Sequence, residues 1–221
     1  MSGDWAPVYD ALAPTYDEST GGDGWAANEH TKALLAPLGL APATVLDLGA
    51  GTGQTALMLD GLYPRTDLTL VDPSLGMLAQ APAKVPGAAV VVDDAAGFLR
   101  ATDGSWDLIT AVGFLELVPD LFEVLRLAAS RLRPGGHLAI SHEPLLPGST
   151  VQARPVSVVG GSREVRRHPR EDVERHAASF GLERVASHEA VAFPRGDADG
   201  DAVYEFVVWA KSATVDGSPR A

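Results

Sequence analysis

The chain has 221 residues, with 29 acidic against 17 basic side chains, a formal net charge of −12, and no cysteine. That length suits one well-buried α/β domain rather than two, and the acidic surplus argues against general affinity for nucleic acid or anionic membrane, because phosphate binding needs clustered Lys and Arg. Without cysteine there is no disulfide scaffold, no thiolate zinc site and no thiol nucleophile.

At the N-terminus, Met1-Ser2-Gly3-Asp4-Trp5 lacks the basic-then-apolar pattern of a signal peptide, and no apolar run reaches the length of a membrane span, so the expected address is the cytoplasm. Tyr9-Asp10 and Tyr16-Asp17 then repeat a Tyr-Asp pair seven residues apart, which puts both rings on one helical face. From Thr44 onward apolar runs alternate with helical patterns. Thr44–Leu48 reads as a strand, Gln54–Leu62 as a helix, Asp67–Val71 as a strand, Ser74–Gln80 as a helix and Ala88–Val92 as a strand. Trp106–Ala111 is a fourth strand, Leu121–Leu132 a helix, and Gly136–Ser141 a fifth strand after the turn Arg133-Pro134-Gly135-Gly136. This rhythm predicts a parallel sheet with helical crossovers. Pro144 to Arg167 has little regular pattern. His168 reads as an N-cap with Pro169 in the first helical position, opening a helix to Phe180 that Gly181 stops. Glu183–Phe193 and Ala202–Ala210, joined by the acidic turn Arg195 to Asp201, predict an antiparallel pair, and 211–221 reads as a disordered tail.

The most informative stretch is Val45-Leu46-Asp47-Leu48-Gly49-Ala50-Gly51-Thr52-Gly53-Gln54, a strand, a carboxylate and three close glycines ahead of a helix. Glycines let the backbone turn tightly and approach a ligand, and the helix start offers unpaired N–H groups. A dinucleotide pyrophosphate beside Asp47 would be repelled, and the third glycine arrives one residue too early for the dinucleotide fingerprint. S-adenosylmethionine has no phosphate and carries a cationic sulfonium and ammonium that a carboxylate attracts. On these residues the chain resembles the class I S-adenosylmethionine-dependent methyltransferases of the small-molecule type, whose first motif is an acidic residue followed by G-x-G-x-G.

The resemblance implies a Rossmann-like α/β fold, with a mostly parallel seven-stranded sheet, the last strand antiparallel, and helices on both faces. It implies one domain over 1–210, with a lid at 1–40, a cofactor-binding core at 41–145 and acceptor-side elements at 146–210. S-adenosyl-L-methionine is the implied cofactor, with no metal. Asp47, Gly49, Ala50, Gly51 and Gly53 match the first motif. Asp72, before Pro73, matches the ribose-binding acid about 20 residues further on. Asp94-Ala95 match the adenine contacts, with Asp93 a competing choice, since strand-end register is not readable to one residue. Leu75 and Met77 either pack on the adenosine or pack within a helix face. Ala111-Val112 end the strand that runs to the reaction centre, and Glu116 stands where many relatives carry His; it contacts the methionine end or the acceptor, or caps the next turn. In relatives the Tyr-Asp segment closes over the cofactor, which gives Tyr9 and Tyr16 either a methionine contact or a packing role.

Methyl transfer from sulfonium is an in-line displacement, so alignment and exclusion of water matter most, and a base is needed chiefly for a hydroxyl acceptor. His142 and Glu143 directly follow the fifth strand, and His168 opens the late helix; with Glu116 these are the candidate catalytic residues, and His30 is a weaker one. The expected partner is a small-molecule methyl acceptor, modified on O, N or C, with no nucleic acid and no membrane, the chain being a monomer or homodimer. Two other readings stay open: a protein of this fold that binds the cofactor without transferring methyl, such as a cyclase or a regulatory subunit, and an NAD-linked oxidoreductase.

Overall fold

The computed structural model describes residues 4–21, 26–149, 152–193 and 201–213. The alternation in the sequence becomes a seven-stranded sheet. Its strands are β1 (Thr44–Leu48), β2 (Asp67–Asp72), β3 (Ala89–Val92), β4 (Trp106–Ala111), β5 (Leu132–His142), β8 (Leu182–Phe193) and β9 (Ala202–Lys211), while β6 (Val156–Val159) and β7 (Arg163–Arg166) form a separate hairpin. The spatial order is β3-β2-β1-β4-β5-β9-β8. β1 to β5 pair in parallel, and β9 is antiparallel to both β5 and β8. The expected fold class is therefore the observed one.

Strand periodicity builds the two faces. Val45 and Leu108 pair across β1 and β4 and feed one buried cluster, while the next pair, Leu46 and Ile109, feeds the other. Helices cover both sides: α1 (Ala6–Leu12), α2 (Tyr16–Thr20) and α3 (Ala26–Leu35) precede the sheet, and α4 (Gln54–Leu62), α5 (Leu75–Leu78), α6 (Ala81–Lys84), α7 (Ala95–Ala101), α8 (Leu121–Arg131) and α9 (Arg170–Ser179) follow. Strand order reverses between β1 and β4, so a crevice opens at their carboxyl ends, where such sheets hold ligands. The glycine turn sits there.

Several local expectations are corrected. The helix expected over Ser74–Gln80 is two short pieces: Ser74 caps α5 by accepting from Met77 N, and Pro82 starts α6 afresh. β5 begins at Leu132, the expected last residue of the preceding helix, and runs through the expected turn, because Leu132 pairs with Trp106 before a bulge shifts the register to Leu108↔His137. Pro169, not His168, is the N-cap of α9. The backbone of His168 instead accepts from Leu145 N at 3.0 Å, tying the start of α9 to the end of β5. β9 includes Lys211, assigned above to the tail, because its Nζ donates to the carbonyls of Ala129 and Leu132 at 2.8 Å each. The acidic turn expected over 195–201 lies outside the described residues apart from Asp201, as does the tail from 214.

Candidate functional site

β1 delivers the chain to Gly49, and Gly49, Gly51 and Gly53 all take positive φ before α4 begins at Gln54. The glycines serve different ends. A Cβ on Gly49 would fall 2.2 Å from the Phe114 ring, so Gly49 lets the loop after β4 lie directly over the turn. A Cβ on Gly51 would meet nothing nearer than Met77 Cε at 3.4 Å, and Gly51 lines an open cavity. A Cβ on Gly53 would lie 3.0 Å from Ala81 Cβ, so Gly53 serves the packing of α4 against α6 and stands back from the cavity surface.

This cavity, of about 470 Å³, occupies the crevice at the carboxyl ends of β1, β2 and β4. Gly49, Ala50, Gly51, Asp72, Pro73, Met77, Asp94, Ala95, Val112, Tyr9 and Tyr16 all line it, as the sequence analysis expected of a cofactor site. Asp72 ends β2 and is held by two loops: Oδ2 accepts from Gly51 N at 2.9 Å and Oδ1 from Ser74 N at 2.8 Å. Burial raises its pKa against those two bonds. Each oxygen keeps a lone pair for a ligand hydroxyl. Of Asp93 and Asp94, it is Asp94 that lines the cavity, and it caps α7 by accepting from Gly97 N at 2.8 Å; the Asp93 carboxylate accepts from Asp94 N. Ala111 is buried in the sheet and Leu75 is exposed; neither reaches the cavity.

Asp47 is also set behind the surface. It is 1% exposed, Oδ1 accepts from Thr110 Oγ1 at 2.7 Å, and Oδ2 has no partner among the described residues. Burial raises its pKa from 3.8 to about 7, the Thr110 bond opposing and Asp72 adding repulsion. In that window the native state binds a proton that the unfolded chain has released, so stability falls as pH rises from 3.8 to about 7. Thermal midpoints measured across this range should therefore decline, and Asp47→Asn should flatten the decline. An unchanged slope in the variant would show that Asp47 is ionised throughout.

Tyr9 and Tyr16 meet edge to face with centroids 6.0 Å apart, and their aspartate neighbours fasten the N-terminal helices to the core. Asp10 accepts from Ser74 Oγ at 2.6 Å and Gly76 N at 2.8 Å. Asp17 accepts from Thr52 Oγ1 at 2.6 Å and Gln54 Nε2 at 2.9 Å, and pairs with Lys84 at 2.6 Å. Burial opposes, but Lys84, Thr52 and Gln54 together hold its carboxyl below the usual range. Each Tyr-Asp pair thus turns its ring to the cavity and its acid to a core loop. These aspartates, with Thr52 and Gln54, were not among the candidate site residues, although the repeat itself was the signal.

The four catalytic candidates are not brought together at the cavity. His142 is buried with Nε2 2.9 Å from Glu205 Oε2. Glu143 is paired with Arg167 at 2.7 Å. His168 packs edge-on against Phe122, centroids 4.7 Å apart, and burial lowers its pKa. His30 lies between His188 and Phe206. Glu116 is 6% exposed and accepts from Tyr204 Oη at 2.6 Å. Its charge raises the pKa of Tyr9 and Tyr16, after the larger effect of their own burial.

Residues 45–136, which span the glycine turn, Asp72 and Asp94, match the family described as a methyltransferase domain. The segment 45–136 belongs to the methyltransferase-domain family. The chain is 37% identical over 118 residues to the trans-aconitate 2-methyltransferase of Methylobacterium nodulans, a match that covers 52% of this chain and 45% of that one. It is 35% identical over 139 residues to the demethylmenaquinone methyltransferase of Chlamydia trachomatis, covering 60% and 58%. The chain thus spans about half the length of the curated relatives it matches. The crystal structure of Burkholderia thailandensis 1,6-didemethyltoxoflavin-N1-methyltransferase, with 1,6-didemethyltoxoflavin and S-adenosylhomocysteine bound, shares the fold, with a TM-score of 0.64 over 96% of this chain and 92% of that one at 22% identity.

Proposed function

We propose that this chain binds S-adenosylmethionine in the crevice above the glycine turn and transfers its methyl group to a small-molecule acceptor. The observation that carries the reading is the Gly51–Asp72 pair, a glycine open to the cavity whose amide is bonded to a buried carboxylate on the same surface. A side chain at 51 would fill the space, while Asp72 can accept from two ribose hydroxyls; the residues fit an adenosyl ligand. Asp94 and Ala95 would hold the adenine, and Tyr9 and Tyr16 the methionine end. When bound, the cofactor supplies an electrophilic methyl group on a cationic sulfur. The lid and Phe114 exclude water and align the acceptor. In this reading His142, Glu143 and His168 are structural, because each is committed to another contact.

The net charge of −12 supports a small molecule over nucleic acid as partner. Among the described residues no helix is long and apolar enough to cross a membrane. A cytoplasmic address, a single domain over 1–210, and a monomeric or homodimeric state belong to the proposal.

S-adenosylhomocysteine should raise the thermal midpoint in proportion to RT ln(1 + [L]/Kd), and NAD should not. Asp72→Ala should fold and lose about 1.5–3 kcal/mol of that affinity, the worth of charge-assisted bonds to two hydroxyls. Stabilisation by NAD alone would overturn the cofactor assignment. Incubation with a labelled methyl donor and candidate acceptors separates transfer from binding without transfer.

A further inference from the structure

We propose that the acceptor is an amine and that Glu116 receives its amino group; the proposal rests on the methyl-transfer reading above. Glu116 lies in the loop between β4 and α8; it is buried just beneath the cavity surface rather than on it, and its loop neighbours Phe114, Leu117 and Val118 are lining residues. Its Oε1 takes the Tyr204 hydroxyl, whereas Oε2 is buried without a hydrogen-bond partner among the described residues. An orphaned carboxylate oxygen at such a depth is costly unless a ligand donor meets it. The groups around it come from five elements: Tyr204 of β9, Glu143 after β5, Arg167 after β7, and the lid residues Tyr9 and Tyr16. Arg167 is paired with Glu143 at 2.7 Å, so its lowering effect on Glu116 is opposed by the Glu143 charge beside it.

The cavity surface points the same way. Among the described residues its charged lining is Asp4, Asp72, Asp94, Asp120 and Glu123 against Arg100 alone, and Arg100 is already paired with Glu123 at 2.7 Å. A carboxylate acceptor would enter a negative field with no uncommitted lining cation to receive it, whereas an ammonium is attracted at every approach. Burial, opposed by the Tyr204 hydroxyl and its own backbone N–H, raises the Glu116 pKa from 4.5 to about 7, which suits a group that takes a proton near neutrality.

The step balances without another reactant. The ammonium gives one proton to Glu116 Oε2; the freed nitrogen lone pair forms the N–C bond as the C–S bond breaks, its electron pair going to sulfur. The positive charge thereby moves from sulfur to nitrogen. Glu116 returns its proton to solvent before the next cycle.

The test uses the full chain saturated with S-adenosylhomocysteine and matched benzyl, phenethyl and hexyl compounds, each as amine, alcohol and carboxylate, titrated calorimetrically at millimolar concentrations. At least one amine should bind about tenfold or more tightly than its alcohol and carboxylate counterparts, the effect of a charge-assisted bond in a sheltered site. Glu116→Gln should remove that preference. Below about pH 7 the carboxyl is neutral, so amine affinity should fall with acidification in the wild type and stay flat in Glu116→Gln. Tyr204→Phe, which removes the donor that favours the ionised form, should move the midpoint of that fall upward and covers the case of a Gln variant that does not fold. Equal or better carboxylate binding, a preference that survives Glu116→Gln, or no amine binding in any set would overturn the proposal. If S-adenosylhomocysteine itself fails to bind, the methyl-transfer reading falls instead.

Discussion

Glu143→Gln should lower the unfolding free energy by about 3–5 kcal/mol, the range for breaking a buried ion pair by removing one charge. Glu143 and Arg167 have side chains only 0% and 2% exposed, and Arg167 Nη1 also donates to Ser157 Oγ at 2.8 Å and the Arg154 carbonyl at 3.4 Å. Neutralising Glu143 leaves a guanidinium buried and anchored to the β6–β7 hairpin without the carboxylate it is paired with. Replacing both partners, Glu143→Gln with Arg167→Met, should recover a large part of the loss, because no charge then remains in the interior. Urea denaturation checks both proteins, and a single-variant loss below about 1 kcal/mol, the level of an exposed pair, would show that the site is wetter than its burial implies. The consequence reaches the acceptor side. Arg166 N donates to the Glu116 carbonyl at 2.7 Å, so loosening the hairpin removes a support from the loop that carries Glu116.

That pair also shows where sequence reasoning ran out. Glu143 follows a strand at the ligand edge of a parallel sheet, which made it a fair candidate for chemistry; its real partner stands 24 residues away, after a hairpin that the Pro144 to Arg167 stretch was not read to contain. The signal was present in Val156-Ser157-Val158-Val159 and Arg163-Glu164-Val165-Arg166 around Gly160-Gly161, two alternating runs joined by a glycine turn. The contact of His142 was hidden for a related reason: its partner Glu205 comes from β9, and antiparallel insertion brings His142 opposite Glu205 in a register no local pattern reveals. By contrast, the glycine turn, Asp72 and Asp94 were legible because strand, turn and helix start are consecutive in the chain. Asp47 was half legible. Its identity pointed to the right cofactor class, but period-2 geometry places its side chain under the sheet against Thr110 rather than in the crevice.

Gly51→Val should abolish cofactor binding while leaving a folded protein, with affinity for S-adenosylhomocysteine falling by about a hundredfold or more and the ligand-induced rise in thermal midpoint, worth about 2.7 kcal/mol at a hundred times Kd, disappearing. Gly51 has φ +54°, so a valine there carries backbone strain of about 1–2 kcal/mol. Its Cβ would meet only Met77 Cε, at 3.4 Å; the added methyl groups therefore project into the cavity rather than into packed core. The contrast with Gly53→Val makes the result diagnostic. At 53 the new Cβ lies 3.0 Å from Ala81 Cβ and 3.2 Å from Ala81 Cα, so α4 must part from α6 and stability should drop by overpacking. Binding scaled to the folded fraction should survive there. If instead both variants lose stability alike and the surviving Gly51→Val protein still binds S-adenosylhomocysteine with wild-type affinity, the ligand does not approach the backbone at the glycine turn, and the crevice above β1 serves something else.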